Sequence, residues 1–169
     1  MEKRYGVVNL VCNNAGVAKP EKALDVDESS WDKILDTNLK GVWMVAKEAA
    51  KRMISEEVSG SIVNTASIMG LRVALNRASY AASKAAVIQL TKALALEWSE
   101  YNIRVNAIAP GVVASKMASM MDKRVREQIV KNSALGRELK PSEVAKHVTF
   151  LSSDDAKKIN GQIIKIDGE

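Results

Sequence analysis

In the stretch SYAASKAA at 79–86, Tyr80 and Lys84 stand four apart with only small residues between them. Side chains at i and i+4 share one face of an α-helix, so this spacing sets a phenol beside an ammonium. A free phenol titrates near pH 10 and is a poor acid-base catalyst at neutrality. A cation about 4 Å away, at an effective dielectric near 20, favours the phenolate by about 4 kcal/mol before desolvation subtracts from it. That lowers the phenol pKa by as much as about three units, toward the range where general acid-base catalysis works best. Ser67, at the end of SIVNTAS, offers a hydroxyl that can hold a substrate oxygen against the phenol. Asn38 offers an amide that can hold a water and extend a proton path to solvent. Each residue alone also has a plain structural use: packing with a snorkelled amine for the Tyr-Lys pair, a cap for the serine, a solvated side chain for the asparagine.

Such a pair works only where other elements hold it against a crevice. Short β-rich apolar runs alternate with longer helical patterns, which is the mark of βαβ units and a parallel sheet. Strands are expected over residues 7–12, 61–65, 104–108 and 162–166. Ile34, Leu35, Leu39, Val42, Val45, Ala46 and Ala49 recur at helical spacing, predicting a helix from Trp31 to about Ile54, with Gly41 as a point of interruption. Ser29 or Ser30 is its expected cap. A second long helix is expected over 79–99 and shorter ones over 122–132 and 141–152, the last with proline in its first turn. Parallel strands joined by right-handed crossovers leave their carboxyl ends on one edge, where ligands bind. Asn13 to Gly16 follow the first strand, Ser67 the second, Pro110 and Gly111 the third, so three strand ends point at one crevice.

Composition narrows the class. The 169 residues, 47% hydrophobic, suit a single domain over 1–169 with its own core. One cysteine, Cys12, excludes an internal disulfide, and its place on a buried strand predicts a small hydrophobe. There is no Cys/His metal cluster, no apolar run long enough for a bilayer, and no apolar core of a signal peptide at the N-terminus, so a cytoplasmic setting is expected. The net charge of +5 comes from 25 basic residues interleaved with 20 acidic ones. DKRVREQIVK at 122–131 alternates sign like a solvated helix face, so neither nucleic acid nor membrane is an expected partner. His147 has no second ligand or acid at a useful spacing and reads as a packing or surface residue. Trp31, Trp43 and Trp98 read as core or interface.

Taken together, NNAG at 13–16, Asn38 in TNLKG, Ser67 thirteen residues before Tyr80, YAASK at 80–84, RVNAIAPG at 104–111 and the terminal NGQIIKIDG resemble the short-chain dehydrogenase/reductase family, most closely its 3-oxoacyl-carrier-protein reductase-like members. The resemblance implies an α/β fold: part of a Rossmann-like, doubly wound parallel sheet whose strands correspond to the family's strands 4-5-6-7. It implies an oxidoreductase that moves hydride between NAD or NADP and a carbonyl or secondary alcohol. The implied tetrad is Asn38, Ser67, Tyr80 and Lys84. Tyrosine passes the proton, serine orients the substrate oxygen, lysine lowers the tyrosine pKa and holds the nicotinamide ribose, and asparagine anchors a relay water. Asn13, Ala15 and Gly16 are implied to lie along the cofactor with Tyr80, Lys84, Pro110 and Gly111. The main chain of Val113 is implied near the carboxamide, and Ser115 stands where the family usually has threonine. A homo-oligomer, dimer or tetramer, is implied by the helices over 43–54 and 79–99, which resemble those that pair in family dimers.

One part of the family pattern is not seen. The glycine-rich TGxxxGxG turn that receives the cofactor pyrophosphate at a helix N-terminus does not occur, and Met1 falls just before what resembles the fourth strand. Weak or absent cofactor binding by this chain is therefore expected, together with an exposed edge at the first strand. The alternative to an enzyme is a noncatalytic remnant that acts by association.

Overall fold

The computed structural model describes residues 6–168. Four strands form one parallel sheet in sequential order: β1 (Leu10–Asn13), β2 (Gly60–Thr65), β3 (Ile103–Pro110) and β4 (Ile163–Ile166). The helices are α1 (Glu28–Leu35), α2 (Gly41–Ser55), α3 (Ala78–Glu97), α4 (Lys116–Ser119), α5 (Lys123–Lys131) and α6 (Pro141–Ser152). Each crossover between neighbouring strands carries helix, as parallel pairing requires. This is the α/β, Rossmann-like architecture expected.

Two apolar layers enclose the middle of the sheet. Ala46, Ala50 and Met53 of α2 and Leu94 of α3 pack on Ile62, Ile103 and Val105. On the other face Leu151 of α6 and Leu139 pack on Val63, Ile108 and Ile166. All of Ser61 to Asn64 in β2, and every residue of β3 except Arg104, are buried, which explains why both read as near-continuous apolar runs.

The observed boundaries correct the expected ones where packing, not pattern, decides. Residues 7–9 are not strand. Pairing starts at Leu10, opposite Ser61, and only the carbonyl of Asn9 joins the ladder, accepting from Ser61 at 2.9 Å. With a neighbour on one side alone, β1 alternates exposed and buried, leaving Leu10 47% exposed and Cys12 exposed. The expected edge is thus present, and Cys12 lies on its open face; what burial its thiol has pushes its pKa up. The helix over the first crossover starts three residues early, because Asp27 and neither serine is its cap, its carboxylate accepting from the Ser30 amide at 2.7 Å. Trp31 and Trp43 are about two-fifths exposed, at 41% and 40%, while Trp98 packs on the core.

Between α1 and α2 the helix does not break at Gly41 but widens just before it, into a π-turn over Asp36–Lys40. One extra residue per turn rotates the side chain at its centre inward, and such turns recur at functional sites. Here the residue at the centre is Asn38, fully buried.

Candidate active site

Asn38 ties the loop after β1 to α3. Its Oδ1 accepts from the Val17 amide at 2.8 Å, and its Nδ2 donates to the Val17 carbonyl at 2.9 Å and the Ser83 hydroxyl at 3.1 Å. Ser83 in turn donates to the carbonyl of Tyr80 at 2.7 Å. Both amide hydrogens are therefore committed to protein. The side chain fixes the loop against α3, with one lone pair of Oδ1 remaining.

Lys84 is 3% exposed and donates to the carbonyl of Thr65, the last residue of β2, at 2.7 Å. Burial alone pulls its pKa down from 10.5 to about 8. Its Nζ lies 5.8 Å from the centroid of the Tyr80 ring, so the pair stands on one helix face as the spacing predicts. The electrostatic outcome differs from the expectation. Burial raises the pKa of the Tyr80 phenol above 10, and the opposing influences are hydrogen bonding with Ser67 and the charge of Arg77. Lys84 is not among them; its ammonium is drawn to the strand-end carbonyl and is itself stripped of water. The phenol is therefore held protonated, facing Ser67. The Ser67 hydroxyl also accepts from the Met69 amide at 3.1 Å, which caps the short 3₁₀ turn Ile68–Gly70 and fixes the serine rotamer.

That turn sits hard against α3. A Cβ on Gly70 would lie 2.8 Å from both the carbonyl carbon and the oxygen of Lys84, so only glycine fits. Gly16 approaches the same place from the other side: a Cβ there would lie 3.4 Å from Asn38 Oδ1 and 3.5 Å from Lys84 Nζ. The ends of β1 and β2 and the first turns of α3 thus converge on Tyr80, Ser67 and Lys84.

The remaining expected residues divide. Asn13 is buried, and its amide donates to Asn64 Oδ1 at 2.9 Å and the Val42 carbonyl at 3.3 Å, so its side chain is spent on the fold. Ala15 is exposed and Gly16 partly so. Pro110 ends β3 in the core, and Gly111 packs on Asp167, where a Cβ would lie 3.0 Å from the Asp167 Cβ. Val113 bridges to Leu139, and Ser115 caps α4, accepting from Ala118 at 3.4 Å. These four lie at and just beyond the end of β3 and make no contact among those above with Tyr80 or Lys84. His147, as expected, stays within its helix, its Nδ1 2.8 Å from the Glu143 carbonyl.

Sequence reasoning missed two contributors. Asn64, fully buried, links Asn13 to Thr91, donating to its hydroxyl at 3.0 Å. The charge of Arg77 favours the ionised form of the Tyr80 phenol. Polar residues inside apolar runs, as in SIVNTAS, were the available signal for Asn64, since a buried amide must find partners.

The parallel sheet and its helical crossovers are those of a Rossmann-like α/β domain. Residues 1–168 match the family model described as enoyl-(acyl carrier protein) reductase. The 3-oxoacyl-(acyl-carrier-protein) reductase FabG of Thermotoga maritima is 40% identical over 166 residues, 98% of this chain and 67% of the relative. That of Chlamydia muridarum is 37% identical over 97% of this chain and 66% of its own. A 4-hydroxyisoleucine dehydrogenase solved with NADH and succinate superposes with a TM-score of 0.91 at 33% identity, over 99% of this chain and 70% of the other. The chain belongs to the short-chain dehydrogenase/reductase family. It spans about two thirds of the length of these relatives.

Proposed function

We propose that this chain carries the catalytic wall of an NAD(P)(H)-dependent oxidoreductase acting on a carbonyl or secondary alcohol, with Tyr80 as acid and base. The observation that supports it best is the convergence of Tyr80, Ser67 and Lys84 at the strand ends, in a first turn of α3 that Gly70 and Gly16 allow to be approached closely. A protonated phenol beside a serine hydroxyl is the state that reduction requires. Ser67 donates to or accepts from the substrate oxygen and fixes it in line with Tyr80; the phenol then gives its proton to that oxygen. In the reverse direction the phenolate takes it back. A nicotinamide cofactor supplies or accepts the hydride. Lys84 fits such a group: one of its three donors is used on Thr65, and two remain for ribose hydroxyls beside Gly16, where the missing Cβ leaves room. Asn38 acts as a positioning residue through Val17 and Ser83, and the loop carrying Ala15 lines the cofactor side. Pro110, Gly111, Val113 and Ser115 supply the far wall.

The experiment is turnover of a reducible carbonyl by the parent and by Tyr80→Phe. Loss of the proton donor lowers kcat/KM at least about 100-fold, the low end of general acid-base contributions; activity within a few fold of the parent removes Tyr80 from the mechanism. Titration with NADH or NADPH, read by cofactor fluorescence, tests the cofactor part.

A second reading has its own observation. The edge strand β1 exposes Leu10 and Cys12, and α2 exposes Trp43, Met44 and Val45, all apolar residues open to another chain. If no saturable binding occurs at millimolar cofactor, association through these surfaces, as a homo-oligomer, is the function that stands.

A further inference from the structure

Two polar side chains stand in the core with no part in the chemistry just described: Asn64 in β2 and Thr91 in α3, both fully buried. With Asn13 they form one chain of hydrogen bonds. Asn13 Nδ2 donates to Asn64 Oδ1 at 2.9 Å, Asn64 Nδ2 donates to the Thr91 hydroxyl at 3.0 Å, and that hydroxyl donates to the Val87 carbonyl at 2.8 Å. Asn13 Nδ2 also donates to the Val42 carbonyl at 3.3 Å. A backbone carbonyl only accepts, so Val42 and Val87 fix the direction of every donor between them. The Asn64 amide must therefore turn its nitrogen to α3 and its oxygen to β1. Without the Thr91 hydroxyl the nitrogen loses the acceptor that holds it, and the oxygen is no longer kept toward Asn13.

The two ends of this chain are held differently. α3 is fixed by apolar packing: Val87 and Ile88 pack with Val42, Ala66 and Ala107, and Leu94 and Ala95 with Ile103 and Val105. The loop after β1 hangs from an edge strand and is held by side-chain bonds: Asn13 to Asn64, Thr65 to Asn14 at 3.3 Å, and Asn38 to Val17. Gly16 lies between those anchors, where a Cβ would stand 3.5 Å from Lys84 Nζ. Thr91 is seven residues beyond Lys84, two turns along the same face of α3 and about 10.5 Å away along its axis, so it acts on the site only through its neighbours. A fully satisfied polar network in a core selects one arrangement of the elements it joins. We propose that Thr91 is a positioning residue for the cofactor side of the site: through Asn64 and Asn13 it holds the loop of Gly16 at its distance from Lys84. This rests on Gly16 and Lys84 facing the nicotinamide ribose.

The test sets Thr91→Val, which has the shape of threonine without its hydroxyl, against Thr91→Ser, which keeps the hydroxyl. KM for NADH or NADPH rises about three- to tenfold in Thr91→Val, the equivalent of one buried hydrogen bond, and returns toward the parent in Thr91→Ser. KM for the carbonyl and kcat stay within about twofold, since Ser67 is held by the Met69 amide and its turn by contact with α3. An unchanged cofactor KM, or equal changes in both KM values, overturns the assignment; the hydroxyl then serves the fold alone. The double variant Asn64→Leu with Thr91→Val strands no donor of its own in the core, so it folds even where the single variant does not, and shows the same rise. If the parent binds no cofactor, the ribose reading fails by itself and amide exchange decides on Thr91. Exchange of the Val17 amide, bonded to Asn38, quickens about three- to tenfold in Thr91→Val and slows again in Thr91→Ser, while the Ala107 amide of β3, bonded to Gln162, keeps the parent rate. Equal Val17 rates in the valine and serine variants, or a Val17 amide that quickens only together with that of Ala107, overturn it.

Discussion

β1 and β3 belong to one sheet and are built from similar residues, in opposite surroundings. β3 lies between two strands and two apolar layers, and of its eight residues only Arg104 escapes full burial. β1 has a neighbour on one side, and its second face shows Leu10 and Cys12 to solvent. The residues that do chemistry follow this division. Ser67, Tyr80 and Lys84 hang from β2 and α3, where Ser67 accepts from the Met69 amide and Lys84 donates to the Thr65 carbonyl. The loop of Asn13 to Gly16 hangs from the edge and is tied down by side chains instead, Asn13 to Asn64 and Asn38 to Val17. A half-covered strand can thus still deliver a loop to the site, provided buried amides replace the missing sheet contacts.

The largest effect that could break this contrast comes from matched truncations. Ile62 in β2 is fully buried, whereas Leu10 in β1 is 47% exposed. Ile62→Ala is expected to cost about 2 to 5 kcal/mol, the range for emptying a packed site. Leu10→Ala is expected to cost about 1 kcal/mol or less, since half its area stays in water in either state. Urea unfolding of both variants measures this. Equal losses mean that β1 is as covered in solution as β2, and the comparison fails.

The next test concerns the ammonium held in the well-packed region. Folded Lys84 releases its proton near pH 8 and a free lysine near 10.5, so between these values the unfolded chain binds more protons. Stability therefore rises with pH across that window, by up to about 3 kcal/mol in all. Above pH 10 the raised pKa of Tyr80 works in the other direction, since the folded phenol keeps a proton that the unfolded one loses. The difference between parent and Lys84→Met from pH 8 to 10 isolates the lysine. Urea melts in which the two variants run parallel show that Lys84 is hydrated.

Gly70→Ala probes the same region sterically. The added methyl meets the Lys84 backbone at 2.8 Å, and neither the 3₁₀ turn nor α3 can move without shifting Ser67. About 1 to 3 kcal/mol of destabilisation is expected, the usual cost of overpacking. Unchanged thermal unfolding indicates that the turn stands off from the helix.

The same division explains what could be read from the chain beforehand. α6 begins and ends where proline and the apolar spacing place it, because proline at the first position fixes φ and removes an amide that needs no partner there. The β2 and β3 runs were legible because burial on both faces keeps most of their positions apolar, even with Asn64 and Asn106 among them. The start of β1 was not, since an edge strand ends where its single neighbour stops pairing, a property of residues fifty positions away. The choice of Asp27 over Ser29 or Ser30 turned on backbone direction at the loop's end. The site tells the same story. Spacing put Tyr80 and Lys84 on one face correctly, but spacing says nothing of desolvation. Burial decides which way each pKa moves, down for Lys84 and up for Tyr80.

The smallest expected effect sharpens the comparison at its exposed end. Leu10→Lys places a charge on the open face of β1, where it changes folding stability by about 0.5 kcal/mol or less, as for other exposed positions. Its consequence lies in association. An open, apolar strand edge is a template for pairing with a second chain, and a lysine blunts it because the charge cannot be buried against another strand. Sedimentation of parent and variant at matched concentrations is expected to show a lower average mass for Leu10→Lys. Identical distributions, with stability also unchanged, mean that copies of this chain meet elsewhere, and Trp43, Met44 and Val45 on α2 become the surface to alter next.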